Sequence, residues 1–139
     1  MKRVCIESPY AGDVEANLAY LRRCLRHSLC NGEAPFASHA IYTLPGVLDD
    51  DDPEERLQGI KAGLAFVECC DLTAVYADRG ISRGMQMGID AAIKAGRKVV
   101  YRRFVDTVMC NLVVEASSYE EVRRLYYAYI YGAANVKSD

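Results

Sequence analysis

The chain has no tryptophan, only four prolines in 139 residues, and no excess of basic side chains. Each shortage excludes something. Lysines and arginines number 17 against 19 acidic residues, a net charge of −2, so the broad positive field of a nucleic-acid binder is absent. Apolar runs are interrupted within ten residues, too short for a membrane span. The amino terminus, Met1 to Glu7, lacks the hydrophobic stretch and small-residue cleavage site of a signal peptide, and the expectation is a cytoplasmic protein. The six cysteines (Cys5, Cys24, Cys30, Cys69, Cys70 and Cys110) include no CxxC pair, and only His27 and His39 are there to complete a metal set. They read as buried, reduced thiols. The four-aspartate run Asp49 to Asp52 does not read as a metal site, because consecutive carboxylates cannot all face one ion. Neither a metal nor a cofactor is expected.

What is present is an ordinary globular composition, 51% hydrophobic and 26% charged, with no repeat or linker. The expectation is one domain over 1–139. β-prone runs at 2–7, 34–37, 72–77, 97–101 and about 110–114 alternate with helical patterns. Asp13 reads as the cap of a first helix with the stripe Leu18, Leu21, Leu25 and Leu29, ended by Asn31-Gly32. Residues 38–51 read as a long loop. Asp52 as N-cap, Pro53 at N1 and Glu55 at N3 then open a second helix with the stripe Leu57, Ile60, Leu64 and Val67. A third follows the 78–84 loop to Ala95, and Ser118 with Glu121 opens the last. This alternation predicts an α/β, flavodoxin-like or Rossmann-like three-layer sandwich around a five-stranded parallel sheet of order 2-1-3-4-5.

That order carries a site with it. Ligands bind beyond the carboxyl ends of the strands where the order reverses, here between strands 1 and 3. The loops there are Ser8–Asp13 and Asp78–Gly84. In the first, Ser8, Tyr10 and Gly12 offer a hydroxyl, a ring for stacking on a base and a close backbone approach, or else a plain βα turn. In the second, Asp78 stands at a strand tip, and Gly80, Ser82 and Gly84 let a ligand come near the main chain. His39 is a hydrogen-bonding group or an acid–base candidate. Arg56 is a phosphate ligand or a partner of the aspartate run.

These residues resemble the nucleoside 2-deoxyribosyltransferase-like family and its phage and bacterial branch. The matching pieces are Ser8-Pro9-Tyr10, Asn17, the segment Pro35 to His39, Asp52-Pro53-x-x-Arg56, Asp71, Asp78-x-Gly80 and Gly84-Met85, spread over residues ~2–101. The resemblance implies a pocket for a nucleoside or nucleotide whose N-glycosidic bond is hydrolysed or transferred, with no nucleic-acid polymer and no membrane as partner. A phage-encoded copy would act in the host cytoplasm. The implied ligand-binding residues are Ser8, Tyr10, Gly12, Asn17, His39, Arg56, Gly80, Ser82, Gly84 and Met85. In the family a glutamate in Gly-Met-Glu-x-Gly attacks C1′ of the sugar. Here the run is Gly84-Met85-Gln86-Met87-Gly88, an amide in place of the carboxylate. Gln86 therefore stands at the nucleophile position, with Asp78, Asp90 and Glu7 as carboxylates that stand in for it. The alternative reading is a non-catalytic binder of a nucleotide or ADP-ribose-like signal.

The last helix, about 118–132, carries Tyr119, Tyr126, Tyr127, Tyr129 and Tyr131, apolar over more than one face, and predicts a homo-oligomer. Relatives complete their sites across such interfaces, which draws attention to Asn135.

Overall fold

A computed structural model describes residues 1–105 and 112–136, side chains of 133–136 aside. Cys110 and the Asn135 side chain lie outside these. The elements run β1 Lys2–Glu7, α1 Val14–Cys30, β2 Glu33–Phe36, α2 Ser38–Ile41, α3 Pro53–Val67, β3 Leu72–Tyr76, α4 Arg83–Lys94, β4 Lys98–Phe104, β5 Val113–Ala116 and α5 Tyr119–Val136. The sheet order is β2-β1-β3-β4-β5, as the alternation predicts.

One direction differs. The β1–β2, β1–β3 and β3–β4 pairs are parallel, but β4 and β5 are antiparallel, with Tyr101 opposite Ala116 and Phe104 opposite Val113. Only residues 105–112 join these two strands. A parallel return needs a crossover of about a dozen residues or more, so this connection can only double back.

Alternation along the strands divides the core. Val4, Ile6, Leu72, Ala74, Tyr76, Val100 and Phe104 pack with Tyr20, Leu21 and Cys24 of α1. Val75, with Val99 and Tyr101, faces Met85 and Ile89 of α4 on the other side. β3 is buried at every residue, as expected of a central strand.

The inward face of α1 is rotated from the leucine stripe. Asn17, Tyr20, Leu21, Cys24, His27 and Ser28 are buried, whereas Leu29 is 55% exposed. The inward polar groups are matched: His27 Nδ1 meets Tyr76 Oη at 2.7 Å, and Ser28 donates to Glu33 at 2.6 Å. α3 departs similarly, with Gly63 and Val67 buried and Leu57 and Leu64 exposed, because its glycine face receives the α2 segment. Asp52 caps α3 as expected, accepting from the Glu54 and Glu55 amides at 2.8 and 3.1 Å. The Glu55 side chain reaches back past the cap to the Asp49 amide.

Of the described cysteines, all free, Cys5 and Cys24 are buried; Cys30 and Cys69 are exposed, contrary to the reading of buried thiols. Among the described residues no helix is long and apolar enough to cross a membrane. The exposed Tyr127, Tyr129, Ile130 and Tyr131 leave an aromatic face of α5 in solvent.

Candidate functional site

Parallel pairing sets Glu7 beside Val75, so the loops leaving β1 and β3 emerge together at one sheet edge. Both border a cavity of about 630 Å³. Each loop is shaped by its own residues. Gly12 has φ +96°, a left-handed conformation that favours glycine, and Asp13 caps α1 by accepting from the Ala16 amide at 3.1 Å. Asn17 donates from Nδ2 to the carbonyls of Tyr10 and Ala11 at 2.9 and 3.0 Å. Asn17 and Gly12 thus hold the loop in place and do not line the cavity, whereas Ser8 and Tyr10 do. In the second loop Gly80 (φ +81°) makes the turn, and Ser82 caps α4 by accepting from the Met85 amide at 3.2 Å. Ser82, Gly84 and Met85 line the cavity; Gly80 does not.

The third wall comes from α2 and α3. The 38–51 stretch read as a loop contains the short helix α2. A Cβ on Gly63 would sit 2.7 Å from Ser38 Oγ, and one on Gly59 would sit 3.2 Å from a Leu48 methyl. These two glycines, one turn apart, let α2 and the chain after it close on α3. Closing brings His39 over the loop of β1, where its Nε2 lies 2.8 Å from Ser8 Oγ. Arg56 stands at the cavity wall beside Asp50, 3.6 Å away.

One half-buried carboxyl that the family pattern does not mark, Glu7, joins them. It lines the cavity, and a Cβ on Gly88 of α4 would overlap its carboxyl. Only glycine leaves Glu7 room. Cys5 Sγ lies 3.8 Å from Glu7 Oε1. No cation pairs with Glu7 among the described residues, and burial pushes its carboxyl up to about 8. Burial likewise pulls His39 down to about 4. At neutral pH both groups are therefore uncharged: Glu7 carries a proton to give, and the His39 imidazole hydrogen-bonds as a neutral ring. The walls around them are mainly apolar, from Ile60, Leu64, Val67, Met85 and Met87.

Gln86, Asp78 and Asp90 lie outside the cavity. Gln86 points out of the cavity and donates to Asp90 at 2.8 Å on the exposed face of α4. Asp78 accepts from Tyr20 Oη at 2.5 Å and from the Phe104 amide at 2.9 Å, pinning α1 to the end of β4. Burial raises its pKa. Among the described residues no cluster of His, Cys, Asp or Glu is arranged to hold a metal ion. What the arrangement offers is proton donation from a shielded carboxyl, in a cavity that the Ser8–His39 pair, Arg56 and Arg83 also line.

Residues 2–102 match the model of a family described as a domain of unknown function, DUF7768. The chain belongs to that family. No curated protein matches it by sequence. Among solved structures, this DUF7768 chain is similar to a 2-deoxyribosyltransferase from the psychrotolerant bacterium Bacillus psychrosaccharolyticus, with a TM-score of 0.56 and 19% identity over 70% of this chain and 69% of that one. The two share a fold, the one the sequence motifs resemble. A CMP N-glycosidase from Clostridium botulinum is more distant, with a TM-score of 0.42 and 17% identity over 70% of this chain and 66% of that one.

Proposed function

We propose that the cavity takes a nucleoside or nucleotide and that Glu7 supplies the proton for cleaving its N-glycosidic bond. The observation that carries this reading is a carboxyl on the wall of a mainly apolar cavity, given room by Gly88 and paired with no cation among the described residues. The fold shared with a 2-deoxyribosyltransferase supports the substrate class.

In this mechanism the base lies against Tyr10 and the apolar wall of α3, and the Glu7 O–H faces a base nitrogen. As the C1′–N bond breaks, its electron pair leaves with the base and the Glu7 proton neutralises the departing nitrogen. Water through its oxygen, or an acceptor base through a ring nitrogen, then bonds to C1′ and gives up a proton to the Glu7 carboxylate. The raised pKa suits both halves, since an acid near the working pH gives and regains its proton readily. Gln86, turned to Asp90, plays no part.

A second reading, binding without cleavage, is favoured by the amide at the family's nucleophile position. One experiment separates them: incubation with a panel of nucleosides and nucleotides, followed by chromatography of released base. Turnover should fall at least ~100-fold in Glu7→Gln while ligand binding persists. Binding with no base release from the wild type would leave the non-catalytic reading, and no binding would remove both. The exposed tyrosine face of α5 supports self-association as well, and Tyr127→Glu with Tyr131→Glu should then yield monomers in light scattering.

A further inference from the structure

The Glu7 carboxyl has two unlike oxygens. Oε1 lies 3.8 Å from Cys5 Sγ, whose thiol donates to it. It is also the oxygen nearer to where a Cβ on Gly88 would stand, with Oε2 set back at 2.9 Å. Oε1 is thus held between β1 and α4. Among the described residues no hydrogen bond reaches Oε2, and Glu7 lines the cavity. Cys5 stands two positions before Glu7 on β1, and so on the same face of the sheet. Its thiol is closed off, with the residue 4% exposed. Burial, with the Glu7 carboxyl beside it, holds that thiol protonated well above the ordinary range; Cys70 adds to this and Arg97 works against it. The thiol's single proton has one taker. Thr73, opposite Cys5 in the β1–β3 register, is fully buried with its Oγ1 unpaired, so it takes no share. From the other walls, Val75 of β3 and Met85 and Gly88 of α4 bring no charge against Glu7. His39, Asp50, Glu55, Arg56 and Arg83 line the same cavity, and none of them bonds to Glu7 among the described residues.

We propose that Cys5 is a positioning residue for Glu7: its thiol bonds Oε1 and so keeps the transferable proton on Oε2, the oxygen left for the cavity. The proposal rests on the reading of Glu7 as the acid. Sulfur is a poor acceptor, so a proton on Oε1 would have no good partner, whereas one on Oε2 can meet a base nitrogen. The same bond matters more once the proton has left. A carboxylate holds a donor more tightly than the neutral acid does, so the thiol favours release and offsets part of the cost of burying the charge. No bond to sulfur forms or breaks, and the thiol ends the cycle as it began.

The test is the titration midpoint of the Glu7 carboxyl, followed by carbon-13 NMR in the full chain without nucleoside. Cys5→Val keeps the volume and removes the donor, and the midpoint should rise by about 0.5–1 pH unit, the worth of one weak hydrogen bond. Cys5→Ser keeps a donor and should titrate closer to the wild type. In infrared difference spectra of the wild type, the S–H band assigned by its loss in Cys5→Ser should move to lower frequency as Glu7 ionises. That arm stays decisive where Cys5→Val does not fold. A thiol that only fills space would show neither effect. An unchanged midpoint in Cys5→Val, or an S–H band that ignores the ionisation, would overturn the proposal. Base release is read separately: a wild type that frees no base removes the nucleoside reading, while the titration still decides what Cys5 does to Glu7.

Discussion

Two regions of this molecule take ionisable side chains out of water, and they resolve the cost in opposite ways. Around Arg102, itself 2% exposed, every charge is matched. Its guanidinium meets Glu33 twice, at 2.7 and 2.9 Å, and Glu115 at 2.7 Å, with the Tyr76 hydroxyl at 3.2 Å. Burial alone would push the Glu33 carboxyl up. Hydrogen bonds from Arg102 and Ser28 more than offset it, and Glu33 stays a carboxylate. At the cavity, neither Glu7 nor His39 is held in an ion pair among the described residues, so burial neutralises them instead. The difference teaches how to tell a structural charge from a chemical one. A matched pair ties α1, β2, β4 and β5 together and is spent on doing so. An unmatched, half-buried acid keeps a proton to transfer, and it stands at a cavity wall where a substrate can take it.

The sharpest way to break the comparison is at the matched end. Arg102→Met leaves Glu33 and Glu115 without their cation, and the expected loss is ~3–5 kcal/mol in denaturant unfolding. A loss below about 1 kcal/mol would show that the cluster is not a structural tie. Next comes Gly88→Ala, which forces a methyl group into the Glu7 carboxyl. It should cost about 1–3 kcal/mol, and in a Glu7→Ala background most of that cost should vanish. Additive effects in this double-mutant cycle would mean the two do not touch.

The unmatched groups also give stability a pH dependence of known sign. Glu7 has a folded value raised from 4.5 to about 8, so its contribution is full below about 4.5 and is lost as pH rises toward 8. His39 works the other way, from 6.5 down to about 4, and loses its contribution as pH falls through that interval. Glu7→Gln should therefore flatten the fall in melting temperature as pH rises from about 4.5 to 8, and His39→Gln the fall as pH drops from 6.5 to about 4. The smallest effect belongs to Gln86→Glu. It sets two carboxylates at i, i+4 on an exposed helix face, a cost of about 0.2–0.5 kcal/mol, with no gain in base release. A large gain would return Gln86 to the centre of the chemistry.

Much of this was legible in the residues. The alternation of patterns specifies the strand order, and the order brings the 8–13 and 78–84 loops to one cavity. Capping chemistry places Asp13 and Asp52 correctly. The misreadings have physical causes. β5 runs antiparallel because eight residues cannot cross over. The inward face of α1 is hidden because Asn17, His27 and Ser28 are polar, and only tertiary partners make them interior residues. Gln86 drew attention through a family pattern, but that pattern does not set the helical phase, which in α4 turns Met85 and Gly88 inward and leaves Gln86 outside. Glu7 stands in the sequence as one stand-in carboxylate among three, and nothing local sets it above Asp78 and Asp90, because the glycine that makes room for it lies 81 positions later.

The most direct measurement is a carbon-13 NMR titration of the side-chain carboxyls, with the Glu7 resonance assigned by its loss in Glu7→Gln. The account predicts a carboxyl that titrates near pH 8 and moves when a nucleoside is added. A Glu7 resonance that titrates near 4.5, like a solvated glutamate, would contradict it.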